Sequence, residues 1–361
     1  MKARAAPFFS IYVVMSGALL VGLRGGWCTL LAPLVTTFVL VPIFDAVIGV
    51  DARDPPDQPP GRAARAAFRA AIWLAAPVQA ALLLWGASVV VQPSSALVEK
   101  VGATVSVGLV GGVLGITAAH ELIHRRSRID RAFGAIILAM VSYLHWMIEH
   151  LAGHHRRVAT PNDPATARLG EPLPAFVARS VAGGYRSSWS IEAARLERAR
   201  PGAGAPALRN RVLWLTVAPF VLAAALAAVF GPAAAVFFFA QSLIAVLLLE
   251  TVNYIEHYGL ERRLVGPGVY ERVTPIHSWN ASHRMTNWLL FNLQRHSDHH
   301  VSPARAYYEL RQFDASPQLP FGYAGMALLA FVPPLWRRVM DPRVAAHRAR
   351  LATVVPGPPA T

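Results

Sequence analysis

Apolar stretches long enough to cross a bilayer recur along the 361-residue chain, and this restricts its fold more than any other feature. A hydrocarbon core about 30 Å thick takes about 20 residues of helix, and no backbone amide or carbonyl can stay unpaired inside it. Such runs fall at 8–23, 29–50, 69–92, 101–119, 212–231 and 233–250, with weaker ones at 132–148 and 321–336. Composition agrees, with 54% hydrophobic and 15% charged residues where soluble domains carry roughly 25% charged. The expected fold is all-α, a polytopic membrane helix bundle of about six transmembrane helices. A soluble two-domain enzyme is excluded.

Charge then orients the bundle. With the N-terminus inside, the outer connections hold only Arg24 and Lys100 of the 34 Lys and Arg, provided that neither weaker run crosses. The positive-inside rule therefore puts both termini in the cytoplasm, with a bacterial inner membrane as the expected location. The net charge of +14 is explained by membrane sidedness and calls for no nucleic acid. Residues 51–61, rich in Pro, read as a polar loop, and Gly231-Pro232 as a tight break between spans. Residues 156–211 read as an inner-side loop region. One catalytic domain is expected over 1–344, and a poorly ordered tail over 345–361.

Chemistry concentrates in histidine. Nine of the 13 His fall in four groups: His120 and His124, then His150, His154 and His155, then His257, and last His296, His299 and His300. Offsets of three and four place imidazoles on one helical face, where each group can offer neutral nitrogens to a metal. Any group alone has a plain reading. His120-Glu121-x-x-His124 is also a zinc-protease pattern, His299-His300 could be a surface pair, and His257 an interfacial hydrogen-bonding residue. Together they exceed the three or four protein ligands of one zinc site, so two metals are the natural count. A lone Cys28 excludes a Cys-rich zinc site or an iron–sulfur cluster. All-imidazole donors suit iron, copper or zinc. A metal pair at the inner ends of apolar helices suits a hydrophobic substrate arriving from the bilayer.

These residues resemble a known family, the membrane di-iron alkane 1-monooxygenases within the fatty-acid desaturase and hydroxylase superfamily. The similarity lies in the boxes His120–His124, Glu149–His155, Asn253–Leu260 and Leu293–His300, and extends over roughly residues 40–343. Departures are Leu151-Ala152 where the family usually has Asn-Arg, and Ile123 where Gly is common. The resemblance implies a cytoplasmic-side site with two Fe ions on all nine histidines, O₂ as co-substrate, and terminal hydroxylation of an n-alkane. It implies electrons from a rubredoxin-type carrier with an NAD(P)H-dependent reductase. Another substrate of the same superfamily, such as an alkylbenzene methyl group, a fatty acid or a lipid, is the main alternative. An intramembrane zinc protease on His120, Glu121 and His124 is the remote one, since it leaves seven histidines idle.

Further roles follow from position. Glu121, Glu149, Glu256 and Asp298 adjoin ligands and are expected to accept imidazole N–H bonds that fix ring direction. The chain has no Gly-x-Gly-x-x-Gly fingerprint for a nicotinamide, so an external acidic carrier is expected to dock on Arg125, Arg126, Arg156, Arg157 and Arg295. The plain alternative is that these arginines bind anionic membrane lipid. His145 reads as a packing residue, and His277 and His283 as neighbours of the last cluster. His347 falls in the tail, and most Trp read as interface anchors. Gly111, Gly112 and Gly115 suit either close helix approach or space for an alkyl chain.

Overall fold

The computed structural model describes residues 5–202, 204 and 206–354. Among the described residues, five helices are long and apolar enough to cross a membrane: α2 (Trp27–Ile48), α3 (Arg62–Val91), α4 (Leu97–Ile123), α8 (Arg211–Phe230) and α9 (Pro232–His257). A shorter apolar helix, α1 (Ala6–Gly22), packs beside α2. The expected bundle is therefore present, with α4 its most enclosed helix. Lipid supplies no hydrophobic drive between helices, so close approach must come from small residues. Gly102 of α4 supplies it: a Cβ there would lie 2.7 Å from the backbone of Thr29 and Leu30 in α2. On α4 again, a Cβ at Gly108 would meet the Gln241 carbonyl of α9 at 2.8 Å. Any larger side chain at Gly102 would push α2 and α4 apart.

The weak run at 132–148 does not form one segment. Its first part lies in α5 (Arg128–Ala139), whose 12 residues reach about 18 Å, too short to cross. Ser127 caps α5, and Asp130 in its first turn accepts bonds from Arg69 (2.9 Å) and Trp73 (2.7 Å) of α3. A turn through Ser142, at φ 54°, leads into α6 (residues 146–157). The chain thus returns to the face from which α4 emerged.

Two expectations need correction. Residues 156–211 are not mainly loop, because α7 (Leu173–Ala199) runs for 27 residues. Beyond Leu173 and Phe176 in its first turn, its buried positions are Ser180, Ser188 and Glu192, so apolar period fails along most of the helix although it is packed. Glu192 clamps it to the start of α8 through Arg211 at 2.7 Å, and Arg195, one turn along α7 itself, takes the same carboxylate at 2.7 Å. Burial would raise this carboxyl, but both guanidinium groups override it and hold the pKa at about 2. The tail boundary at 345 is also wrong as far as the described residues go. After α10 (Arg284–Leu289), α11 (His296–Val301) and α12 (Tyr323–Ala330), α13 (Pro333–Val354) carries the chain on as helix. Trp336, Met340, Val344 and His347 form its buried stripe, packed on Tyr254 and Tyr258. The rest of the expected tail, 355–361, lies outside the described residues.

Candidate metal centre

The nine histidines converge as two adjacent groups. His120, His124, His150, His155 and His299 form one; His154, His257, His296 and His300 form the other; within each, the donor atoms lie within 4.8 Å of one another. Helix α4 delivers His120 and His124 one turn apart at its inner end, and α9 delivers His257 as its last residue. Helix α11 splits its three, sending His299 to the first group and His296 and His300, four apart, to the second. In α6 the division depends on backbone. Residues five apart on an α-helix diverge by about 140°, yet His150 and His155 share a group while His154 joins the other. A π-helical turn over His150–His154 reconciles this, since its i→i+5 bonding returns residue i+5 to the same face.

The nitrogen spacing tests whether a metal fits. Nε2 atoms of His124, His150 and His155 form a triangle with sides of 3.0, 3.1 and 3.1 Å, and His299 Nε2 lies 3.1 Å from that of His155. One ring N–H cannot serve two neighbours in such a triangle. Nitrogens about 2.0–2.1 Å from a shared cation would stand about 3 Å apart, so a cation satisfies what hydrogen bonds cannot. Buried Nε2 atoms of His120 and His154 have no hydrogen-bond partner. Burial holds His150, His155, His299 and His300 well below the ordinary imidazole range, in the neutral form that binds metal. The donor set therefore fits two metal ions. Seven of the nine rings are fully buried; His124 and His155 alone are half-buried.

The carboxylates next to ligands mostly turn elsewhere. Glu121 pairs with Arg125 and accepts the Tyr307 N–H at 3.2 Å. Glu149 takes Arg157 at 2.7 Å, and burial raises its pKa to about 7. Asp298 holds Arg305 at 2.5 Å and the Arg311 N–H at 2.8 Å. None of these three meets an imidazole nitrogen, since adjacent positions on a helix point about 100° apart. Glu256 does, with Oε2 3.1 Å from His296 Nε2. The zinc-protease alternative loses its base, because Glu121 is engaged by Arg125.

Asp163 was missed. Its carboxylate lies 2.9 Å from His154 Nδ1 and accepts the Thr166 hydroxyl at 2.7 Å. Burial opposes its charge, but His154 and Thr166 hold the carboxyl below its usual range. An acceptor on Nδ1 fixes the tautomer that leaves Nε2 free. Asp163→Ala should therefore weaken metal binding by about 10- to 100-fold, with the fold retained. Metal titration beside circular dichroism checks both halves; unchanged affinity would count against this role.

The remaining candidates sort cleanly. Arg295 is buried, donating to the Leu310, Asp51 and Arg53 carbonyls, and so is no docking residue. Arg126 and Arg156 are exposed, while Arg125 and Arg157 are held by Glu121 and Glu149. His145 packs between Tyr143 and Tyr185, as expected. His277 bonds to Glu271, and His283 joins neither group. His347 is buried and lies 3.0 Å from the Ile276 carbonyl. Trp279 and Trp336 are buried rather than interfacial.

An apolar cavity ends on the centre. His120 and His150 of the first group and His296 of the second line it, followed by Trp146, Ile116, Leu249, Val252 and Leu289. Trp146 stacks on His150 at 4.2 Å and was not singled out from sequence. Gly112 lines the cavity and also lets α9 approach, since a Cβ there would meet Leu248 at 2.7 Å. Both readings of that glycine hold.

Sequence comparison places this architecture. The fatty acid desaturase family matches residues 100–330. Alkane 1-monooxygenase 2 of Pseudomonas aeruginosa is 43% identical over 319 residues, covering 86% of this chain and 83% of that protein. The chain belongs to the alkane 1-monooxygenase family. An alkane 1-monooxygenase of Pseudomonas putida is 41% identical, covering 84% of this chain and 75% of its own. The xylene/toluene monooxygenase hydroxylase component of P. putida is 28% identical, over 71% of this chain and 67% of its own. With its apolar helices, this family member is an integral membrane protein.

Proposed function

We propose that the protein hydroxylates the terminal methyl group of n-alkanes to primary alcohols, using O₂ and two iron ions held by the nine histidines. One observation carries this reading: a cavity walled mostly by apolar side chains ends on histidines of both groups. Its lining includes no Lys or Arg that could hold a carboxylate or head group. An alkane can be positioned there by shape alone. Relatives named alkane 1-monooxygenase support the same substrate class.

The iron pair would supply O₂ activation, which no side chain can provide. The chain's own residues do the rest. Burial of seven histidines keeps water from the centre, and Trp146 with Leu249 and Leu289 confines the methyl end. Electrons would come from a separate rubredoxin-type carrier and its reductase, because the one cysteine, Cys28, cannot by itself hold an iron–sulfur centre. Half-buried His124 and His155 mark where solvent comes nearest the metals, and exposed Arg126 and Arg156 beside them would steer an acidic partner there. The unit from the first span to α13 would act as one catalytic domain. Both termini would face the cytoplasm of the inner membrane, and a cytoplasm-active reporter fused after Thr361 would then be active.

The deciding experiment feeds n-alkanes, fatty acids and alkylbenzenes in parallel to cells expressing the protein with a rubredoxin system. Gas chromatography should show primary alcohols from alkanes as the main product. Fatty acids or alkylbenzenes turning over far faster would overturn the alkane assignment while leaving the metal centre intact.

A further inference from the structure

Glu256 differs from Glu121, Glu149 and Asp298, which arginines engage, and from Asp163, which meets a ring Nδ1. Glu256 Oε1 accepts the Tyr323 hydroxyl at 2.9 Å, and its Oε2 lies 3.1 Å from His296 Nε2. That same nitrogen is 3.2 Å from His257 Nε2 and 2.9 Å from His300 Nε2. Four electron-rich atoms thus crowd one point. A neutral imidazole nitrogen carries either one hydrogen or one lone pair, and a single N–H cannot reach three acceptors in different directions. A cation among them satisfies all four.

Charge gives the same answer. Glu256 is 2% exposed and has no Lys or Arg partner among the described residues. Burying a carboxylate is costly unless a positive charge compensates it. The two histidine groups are also unequal, with five imidazoles in one and four in the other. The smaller group has the carboxylate beside it.

We propose that Glu256 Oε2 is the fifth donor to the divalent cation held by His154, His257, His296 and His300, with Tyr323 aiming the carboxylate. This deepens the two-metal reading above and rests on it. The consequence is two inequivalent ions. One has only neutral imidazoles, while the other has a carboxylate that also lines the substrate cavity and offsets one unit of its charge. Soft-to-hard mixing of donors at one ion is a standard way in which a site tunes metal preference.

The test uses the full chain in lipid nanodiscs, stripped of metal and titrated with Co²⁺ alone. Bound metal is counted by elemental analysis, and coordination is followed by the visible Co²⁺ bands. Wild type should take up two ions with two distinguishable spectra. Glu256→Ala should fill the first site normally and bind the second at least about tenfold more weakly, with the second spectrum altered. Glu256→Gln, which keeps the shape and an oxygen, should show the same change to a smaller extent. It also decides the matter if the Ala variant fails to fold. His154→Ala supplies the reference spectrum for loss of the second site. Wild-type affinity and spectra in both Glu256 variants would overturn the proposal and leave the two-metal reading standing. Fewer than two ions in wild type at saturating Co²⁺ would overturn that reading, and this inference with it.

Discussion

Replacing His296 by Ala should lower metal content from about two ions per chain to about one and abolish turnover. His296 Nε2 sits 2.9 Å from His300 Nε2 and 3.2 Å from His257 Nε2, at the middle of the four-histidine group. Its loss therefore removes a central donor and leaves an imidazole-sized cavity in a fully buried cluster. His299→Ala should act on the other group in the same way, because His299 meets His155 at 3.1 Å. His347→Ala is the informative control. It removes the hydrogen bond to the Ile276 carbonyl and a buried ring from the α13 stripe, and should cost about 1–3 kcal/mol of stability with both metals kept. Elemental analysis and product formation on the same preparations separate these outcomes. Two ions and full activity in His296→Ala would refute the ligand assignment.

Much of this centre was legible from spacing. Offsets of four correctly grouped His120 with His124 and His296 with His300, because residues four apart share a face on an α-helix, whereas His299, three from His296, belongs to the other group. The assignment of His150 and His155 to one group and His154 to the other was not legible, since it depends on a π turn that no local pattern announces. Proximity in sequence misled at the carboxylates. Glu121, Glu149 and Asp298 each adjoin a ligand but face Arg125, Arg157 and Arg305. Asp163, nine residues from His154, makes the contact that they were expected to make.

The fold divides along similar lines. Membrane spans could be read because lipid demands long unbroken apolar runs. Helix α7 could not, because after Leu173 and Phe176 in its first turn its buried positions are Ser180, Ser188 and Glu192, and no apolar stripe runs its length. The stripe of α13 at Trp336, Met340, Val344 and His347 was present in the sequence. Pro342 and the arginines between those positions hid it, and the last two positions were divided between domain and tail.

Opening the far end of the cavity should change which alkanes are accepted. Gly112 lies eight residues before His120 on α4, a rise of about 12 Å from the metal centre. Leu248 of α9 packs against Gly112, and both line the same cavity. An alkyl chain with its methyl at the metals and running along α4 would meet Leu248 about two helical turns away. Leu248→Ala removes three carbons from this wall and should raise the rate on longer relative to shorter alkanes by about tenfold or more, since one methylene of fit is worth that much. Stability should fall less than for a core leucine, because Leu248 is only half-buried. Val113→Phe, at the neighbouring lining position, should shift preference the other way by adding bulk. The readout is the ratio of alcohols from a mixed alkane feed, measured beside metal content, so that a damaged centre cannot pass for altered selectivity. If both variants kept two ions and the wild-type ratio, the alkyl chain would not run along α4 toward Gly112. The substrate path would then have to follow the other wall, past Thr37, Phe38 and Val41 of α2.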